Sequence, residues 1–350
     1  MKARGKRRLD PLRPGDPRTV GGYPLVGRVG SGAMGTVYAA ERRQGEGYVA
    51  VKVIHPDHAA IPAARERFAH EARLLARVNS PCVARFVRAD VEADPPWMVT
   101  EYVPGPTVRH HVERHGPLRG GMLRALAVGA AEALRGIHDA GIVHRDLKPG
   151  NVIMAPTGPK ILDFGIAQPT TSEDATRWMR VRRLRRRLRT LRLPSSPALT
   201  EPDDSPGGTA DRQGTPGWSS PEQYLGHPAT SSSDIFLWGA LVAFAAAAHD
   251  PFGHGHPREL ARRVVHEEPD LDRLAPDLEA LVLTAMAKDP NERPDATEVL
   301  RRTLALGEDT NAAGAAERRR AVHRALERDW TRVAVRMPRP PRERRWFGVA

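Results

Sequence analysis

Four side chains within eighteen residues could move a phosphoryl group. Asp146, Lys148 and Asn151 lie in Val143-His144-Arg145-Asp146-Leu147-Lys148-Pro149-Gly150-Asn151-Val152, and Asp163 opens Asp163-Phe164-Gly165. A carboxylate can accept a hydroxyl proton. An ammonium can neutralise charge on a phosphate in transfer. An amide oxygen and a second carboxylate are hard ligands that suit Mg²⁺. Any one of these could be a solvated loop residue, but His-Arg-Asp, an Asn five residues beyond the Asp, and then Asp-Phe-Gly form a specific set.

The elements that must position this set are legible around it. Gly30-Ser31-Gly32-Ala33-Met34-Gly35-Thr36-Val37 has a glycine spacing that dinucleotide folds share. A dinucleotide fingerprint should lead into a helix. Here the β-branched and aromatic runs Thr36-Val37-Tyr38 and Tyr48 to Ile54 follow, joined by a turn-like Arg43 to Gly47. A glycine-rich hairpin lets backbone N–H groups approach a phosphate without side-chain obstruction. Lys52 ends Val49-Ala50-Val51-Lys52. Phe68, Ala72 and Leu75 give residues 65–77 helical apolar spacing with Glu71 beside that face. Glu66 in the same stretch belongs to a charged first turn and is expected to meet solvent. Leu123 to Ala140 reads as an Ala- and Leu-rich supporting helix. Trp97 to Val103 reads as a strand ending at Pro104-Gly105.

These motifs resemble the protein kinases, and more closely the eukaryotic-like (Hanks-type) serine/threonine kinases of bacteria. The resemblance covers roughly residues 21–306 and implies an α+β, two-lobed protein-kinase fold. The small β-rich lobe (21–103) would carry one main helix, and the larger lobe (104–306) would be mainly helical. It implies ATP with Mg²⁺, or Mn²⁺ in its place, in the cleft, and transfer to Ser or Thr hydroxyls of proteins, including the chain itself. By resemblance Asp146 is the general base, Lys148 neutralises the γ-phosphate, and Lys52 holds the α- and β-phosphates with Glu71 as its partner. Asn151 and Asp163 bind the metal. Val29, Gly30, Ser31, Gly32, Gly35, Val37, Ala50 and Ile153 surround the nucleotide, with the backbone of Glu101 and Val103 on the adenine edge and Thr100 guarding the back pocket. Lys148 in place of Ala points to Ser/Thr rather than Tyr acceptors. His144 and Phe164 would pack rather than do chemistry.

Residues 163–222 would be the activation segment, ending in Gly214-Thr215-Pro216-Gly217-Trp218-Ser219-Ser220-Pro221-Glu222. Trp218 and Ser220 depart mildly from the family's Tyr and Ala. Thr215 would bond Asp146 and Lys148. Glu222 would pair with a buried Arg293, since a buried carboxylate needs such a partner. Asp234 would cap a helix and bond the catalytic-loop backbone. Arg145 would supply part of a cationic pocket for a phosphorylated residue. Thr209 is the first candidate acceptor, with Thr200 and Ser205 as alternatives.

The net charge of +12 is unevenly placed: residues 1–20 carry +5, 177–192 carry +9 and 307–350 carry +5, which leaves a mildly acidic body. Of 54 basic residues only six are Lys, and two of those, Lys52 and Lys148, sit at motif positions. There a compact ammonium on a flexible stem is suited to a phosphate. Residues 1–20 read as a flexible basic tail, with order expected to begin near Tyr23. A basic insert spans about 170–208. In it Trp178, Val181, Leu184, Leu188 and Leu191 recur at three or four, a basic amphipathic pattern. Three readings of the insert stay open: a solvated segment, docking on the body across the cleft, or contact with an acidic partner, an anionic membrane or nucleic acid. Residues 307–350 form a basic extension in which Glu317 to Trp330 suggests a surface helix, ended by Pro338-Arg339-Pro340-Pro341.

A single cysteine, Cys82, excludes a disulfide framework and a Cys-based zinc site, and fits a reducing compartment. It reads as a small core residue. The most apolar run, Phe236 to Ala248, is thirteen residues, too short to span a bilayer. No secretory signal or transmembrane segment is expected, which points to the cytoplasm. The rival functions are a scaffold that binds ATP without catalysis, a small-molecule phosphotransferase of related fold, and a nucleic-acid binder. Pro221-Glu222 and Arg293 argue against the second.

Overall fold

The computed structural model describes residues 9–32, 34–42, 47–162, 215–307, 314–331 and 333. Six antiparallel strands form the first layer: β1 (Thr19–Val20), β2 (Tyr23–Ser31), β3 (Gly35–Glu41), β4 (Tyr48–Ile54), β5 (Phe86–Asp90) and β6 (Trp97–Glu101). Their order across the sheet is β1-β2-β3-β4-β6-β5. Between β4 and β5 lie the short α1 (Pro56–Ala59) and the long α2 (Pro62–Leu75).

Strand alternation sets what each face of this sheet does. Val49, Val51 and Val53 of β4 are buried with Tyr38, Trp97 and Val99 in a compact apolar cluster. Successive side chains point to opposite faces, and direct cross-strand partners share a face. Lys52 and Ala50 therefore lie on the other face, with their partners Val37 and Met98, and Ala39 and Thr100. Gly30 pairs with Val37 and joins the same row. Phe68, Ala72 and Leu75 of α2 are buried in one cluster with Ile54 and Met98, so the helix stands over this face.

The larger layer is helical. α3 (Val108–His115) and α4 (Gly120–Asp139) precede a loop and a 3₁₀ turn at Pro149–Asn151. The two-stranded β7 (Val152–Ala155) and β8 (Gly158–Ile161) follow. Beyond residue 214 come α5 (Pro221–Tyr224), α6 (Ser231–Ala247), α7 (Pro257–His266), α8 (Pro276–Ala285), α9 (Ala296–Ala305) and α10 (Ala315–Asp329). α6 is buried from Ser233 to Ala246, as a helix apolar all round must be. It packs on α4, where the Trp238 indole N–H donates to the Ala127 carbonyl at 3.0 Å. No helix among the described residues is long and apolar enough to cross a membrane.

Two expectations about the ends need correction. Order does not begin near Tyr23: Leu9 is buried, Asp10 bridges Arg28, and Thr19–Val20 pairs with β2. The end helix is not a plain surface helix. Ala321, Val322, Ala325 and Leu326 are buried in the main core, the Trp330 indole donates to the Ala155 carbonyl at 2.8 Å, and Arg124 donates to Asp329 at 2.7 Å. Apolar burial and satisfied polar groups fasten both segments. The basic insert lies outside the described residues.

Candidate active site

The loop between α4 and β7 is held from behind by one buried carboxylate. Asp234, in the first turn of α6, accepts from the backbone N–H of His144 at 2.7 Å and of Arg145 at 2.8 Å. Its Oδ2 also lies 2.9 Å from His138 Nε2 of α4. These bonds accompany Arg145 at φ +67°, a left-handed conformation that is uncommon outside glycine. A backbone in that region persists only where the surroundings over-determine it. The helix itself is capped by Thr230, so Asp234 is left for the loop.

The reactive side chains converge in front of this anchor. Lys148 Nζ donates to Asp146 Oδ1 at 2.8 Å, and Asn151 Nδ2 donates to Asp146 Oδ2 and to the Asp146 carbonyl, both at 2.8 Å. Asp146 and Lys148 stay about a quarter exposed, open to an incoming substrate. With its N–H groups turned to Asp146, Asn151 presents its amide oxygen as the group that suits a hard cation. On the sheet Lys52 Nζ donates to Glu71 Oε1 at 2.9 Å, the carboxylate being 2% exposed and the lysine 21%. Glu66 is exposed.

The glycine-rich hairpin joins β2 and β3. Gly32 N–H donates to the Gly35 carbonyl at 3.0 Å, and the Ser31 and Thr36 hydroxyls meet at 3.1 Å. Its glycines serve different ends. A side chain on Gly35 would strike the Val53 carbonyl at 2.2 Å, so packing demands glycine there. Gly30 and Gly32 face open space, so the reason for glycine lies outside the chain's own packing.

Val37 and Ala50 share the lysine's face, Val29 sits at the bulge between Arg28 and Gly30 and is exposed, and Ile153 lies buried opposite the chain at Gly105. Glu101 turns its carboxylate to Lys160, which donates to both oxygens at 3.1 and 2.9 Å, while its N–H donates to the Arg85 carbonyl. Val103 lies in the connector to α3 and is partly buried.

Glu222 and Arg293 meet through two parallel bonds of 2.9 Å, and the Ser233 hydroxyl also donates to Glu222. Burial raises the Glu222 carboxyl, but the bonds from Arg293 and Ser233 outweigh it and hold the group below its ordinary value. Thr215 is exposed, and among the described residues no hydrogen bond joins it to Asp146 or Lys148, which bond each other instead. Burial pushes the Cys82 thiol up to about 12, which keeps it from acting as a nucleophile at neutral pH. Asp163 and Thr209 lie outside the described residues.

Sequence reasoning missed His138 behind the loop, the Lys160 partner of Glu101, and a brace at Trp218. Trp218 is buried; its N–H donates to Asp250 at 3.3 Å, which also accepts from Arg109 at 3.1 Å. An isolated His on an Ala-rich helix and a lone Lys in a short strand carry no local pattern that could have flagged them.

Comparison with known proteins follows the same lines. Residues 23–304 match the family described as protein kinase domain. The chain is 39% identical over 292 residues to a probable serine/threonine-protein kinase, PkwA, of Thermomonospora curvata, covering 83% of this chain and 35% of that one. It is 34% identical to the serine/threonine-protein kinase AfsK of Streptomyces coelicolor, covering 83% and 32%, and 36% identical to that of Streptomyces griseus, covering 80% and 31%. The chain thus spans about a third of the length of these relatives.

Proposed function

The chain belongs to the protein kinase family, among the bacterial Hanks-type serine/threonine kinases, and from this we propose that it transfers the γ-phosphoryl group of ATP to Ser and Thr hydroxyls of proteins, its own activation segment included. The observation that carries the proposal is the Asp146 cluster, with Lys148 and Asn151 at 2.8 Å and Asp234 fastening the loop behind it, and Lys52 held by Glu71 at 2.9 Å supports it.

In this reading the acceptor hydroxyl oxygen bonds the γ-phosphorus while the bond to the bridging oxygen of ADP breaks. The hydroxyl proton passes to Asp146, and Lys148 beside it compensates charge on the transferring group. Lys52 orients the α- and β-phosphates, because Glu71 restrains its long side chain. The donor set fits a divalent cation: the Asn151 amide oxygen and the Asp163 carboxylate would hold Mg²⁺, with Mn²⁺ as a substitute. When bound, the cation neutralises phosphate charge. Val29, Gly30, Ser31, Gly32, Gly35, Val37, Ala50, Ile153 and the Glu101–Val103 backbone would enclose the nucleotide. Thr215 would bond Asp146 and Lys148. A cytoplasmic setting is part of the reading, supported by one buried, unreactive cysteine. The Arg-rich insert is carried as a contact for an acidic partner or anionic surface on its charge alone.

The test is incubation with ATP and Mg²⁺ or Mn²⁺ of the wild type, Lys52→Met and a deletion of residues 177–207. Phosphate should enter residues 195–209 of the wild type and be absent from Asp146→Asn. The same phosphate in Asp146→Asn would mean another kinase placed it, and a wild type that binds the nucleotide without transfer would be a scaffold.

A further inference from the structure

Residues 9–20 precede the part of the chain that matches the family, yet they are built into the sheet that carries the glycine-rich hairpin. Strand β2 lies towards one edge of that sheet. The Leu25 N–H donates to the Arg18 carbonyl at 2.9 Å. Further along, Asp10 and Arg28 exchange both backbone bonds at 3.2 and 2.7 Å. An edge strand left open is free to fray or to pair elsewhere, and this segment covers it.

The segment is fastened by one carboxylate. Asp16 accepts from Arg28 Nε at 2.7 Å and Nη2 at 2.6 Å, from the Tyr38 hydroxyl at 2.8 Å and from the Arg13 N–H at 2.7 Å. Its side chain is 6% exposed. Arg28 of β2 and Tyr38 of β3 are direct cross-strand partners, and the next rung is Gly30 with Val37. Asp16 therefore staples the two strands at the base of the hairpin, immediately before the bulge that holds Val29. A second feature seats the segment: a side chain on Gly27 would meet Leu9 Cβ at 2.6 Å and the Asp10 carbonyl at 2.8 Å.

We propose that Asp16 is a positioning residue for the nucleotide, which holds the base of the β2–β3 hairpin so that its N–H groups stay aligned on the phosphates. The inference rests on the kinase reading. It predicts that loosening the staple weakens MgATP binding and leaves the acceptor side alone, because Asp146, Lys148 and Asp234 belong to the other layer. The hydrogen bond from Arg28 leads the effects that hold the Asp16 carboxyl well below the usual range, so the staple stays charged at neutral pH.

The experiment uses the full chain as wild type, Asp16→Asn, Gly27→Ala and Tyr38→Phe. MgATP affinity is read by titration with a fluorescent ATP analogue, and KM for ATP, KM for a peptide acceptor and kcat are read by phosphate transfer. Asp16→Asn and Gly27→Ala should raise Kd and KM for ATP about tenfold and Tyr38→Phe about threefold, with kcat and the peptide KM within about twofold. Amide exchange should quicken at residues 28–38 and not at 142–151. If Asp16→Asn fails to fold, Gly27→Ala carries the test, because it displaces the segment and keeps every partner of Asp16. Wild type that binds MgATP beside variants with unchanged ATP affinity, however much less stable, overturns the staple and leaves the kinase reading standing. Wild type that binds no MgATP overturns both.

Discussion

Two buried glutamates tie distant parts of this chain together, and they are built differently. Glu222 meets Arg293, whose side chain is 0% exposed and whose remaining donors go to the carbonyls of Ala287, Ser232 and Lys288. Glu71 meets Lys52, an ammonium that keeps 21% of its side chain accessible. A guanidinium with its fork saturated is a fixed structural point, whereas a partly accessible ammonium is within reach of a ligand. The comparison separates an ion pair sealed inside the fold from one whose cation stays accessible, as the proposed chemistry requires.

The largest expected effect separates them directly. Arg293→Ala leaves Glu222 buried without its partner and should cost about 3–5 kcal/mol of stability, read by chemical denaturation. Lys52→Met should weigh the other way: phosphate transfer falls by about 10²–10³-fold, while the loss of stability stays well below that of Arg293→Ala, because the 21% exposure of the lysine leaves water a route to Glu71. A Lys52→Met protein that unfolds as easily as Arg293→Ala would break the distinction.

Acid sharpens it further. The folded Glu222 carboxyl lies below its ordinary value of 4.5, so its contribution is present above that pH and is lost as pH falls through the folded value. Unfolding free energy should therefore drop steeply below pH 4.5, and more shallowly in a Glu222→Leu/Arg293→Met double variant. The smallest effect belongs to the end helix. Trp330→Phe leaves the Ala155 carbonyl without its donor and should cost about 1 kcal/mol with activity unchanged, read by thermal unfolding beside a transfer assay.

How much of this was legible depended on the range over which each feature is specified. Lys52, Glu71, Asp146, Lys148 and Asn151 could be picked out because chemistry restricts the residue type at each position and the spacing repeats locally. The Val-Ala-Val-Lys motif marked Lys52, and helical spacing put Glu71 beside the face of Phe68 and Ala72. Arg293 could be paired with Glu222 across 71 residues only through the family resemblance, since nothing local links them. Asp16 was hidden in a Pro-, Gly- and Arg-rich stretch without periodicity, and its partners lie 12 and 22 residues away. His138 gave no sign on its helix, because the carboxylate it meets comes from 96 residues downstream.

By itself, then, the amino-acid order pointed to the groups suited to a phosphate, a proton and a cation, since such suitability depends on side-chain chemistry and on spacing within a short stretch. Only the folded chain decided that Asp234 seizes the loop backbone, that residues 9–20 close the edge of the sheet, and that the terminal helix joins the core. Burial and backbone hydrogen bonds are satisfied by whichever segment arrives in space, and that is a property of the whole packing rather than of any stretch of sequence.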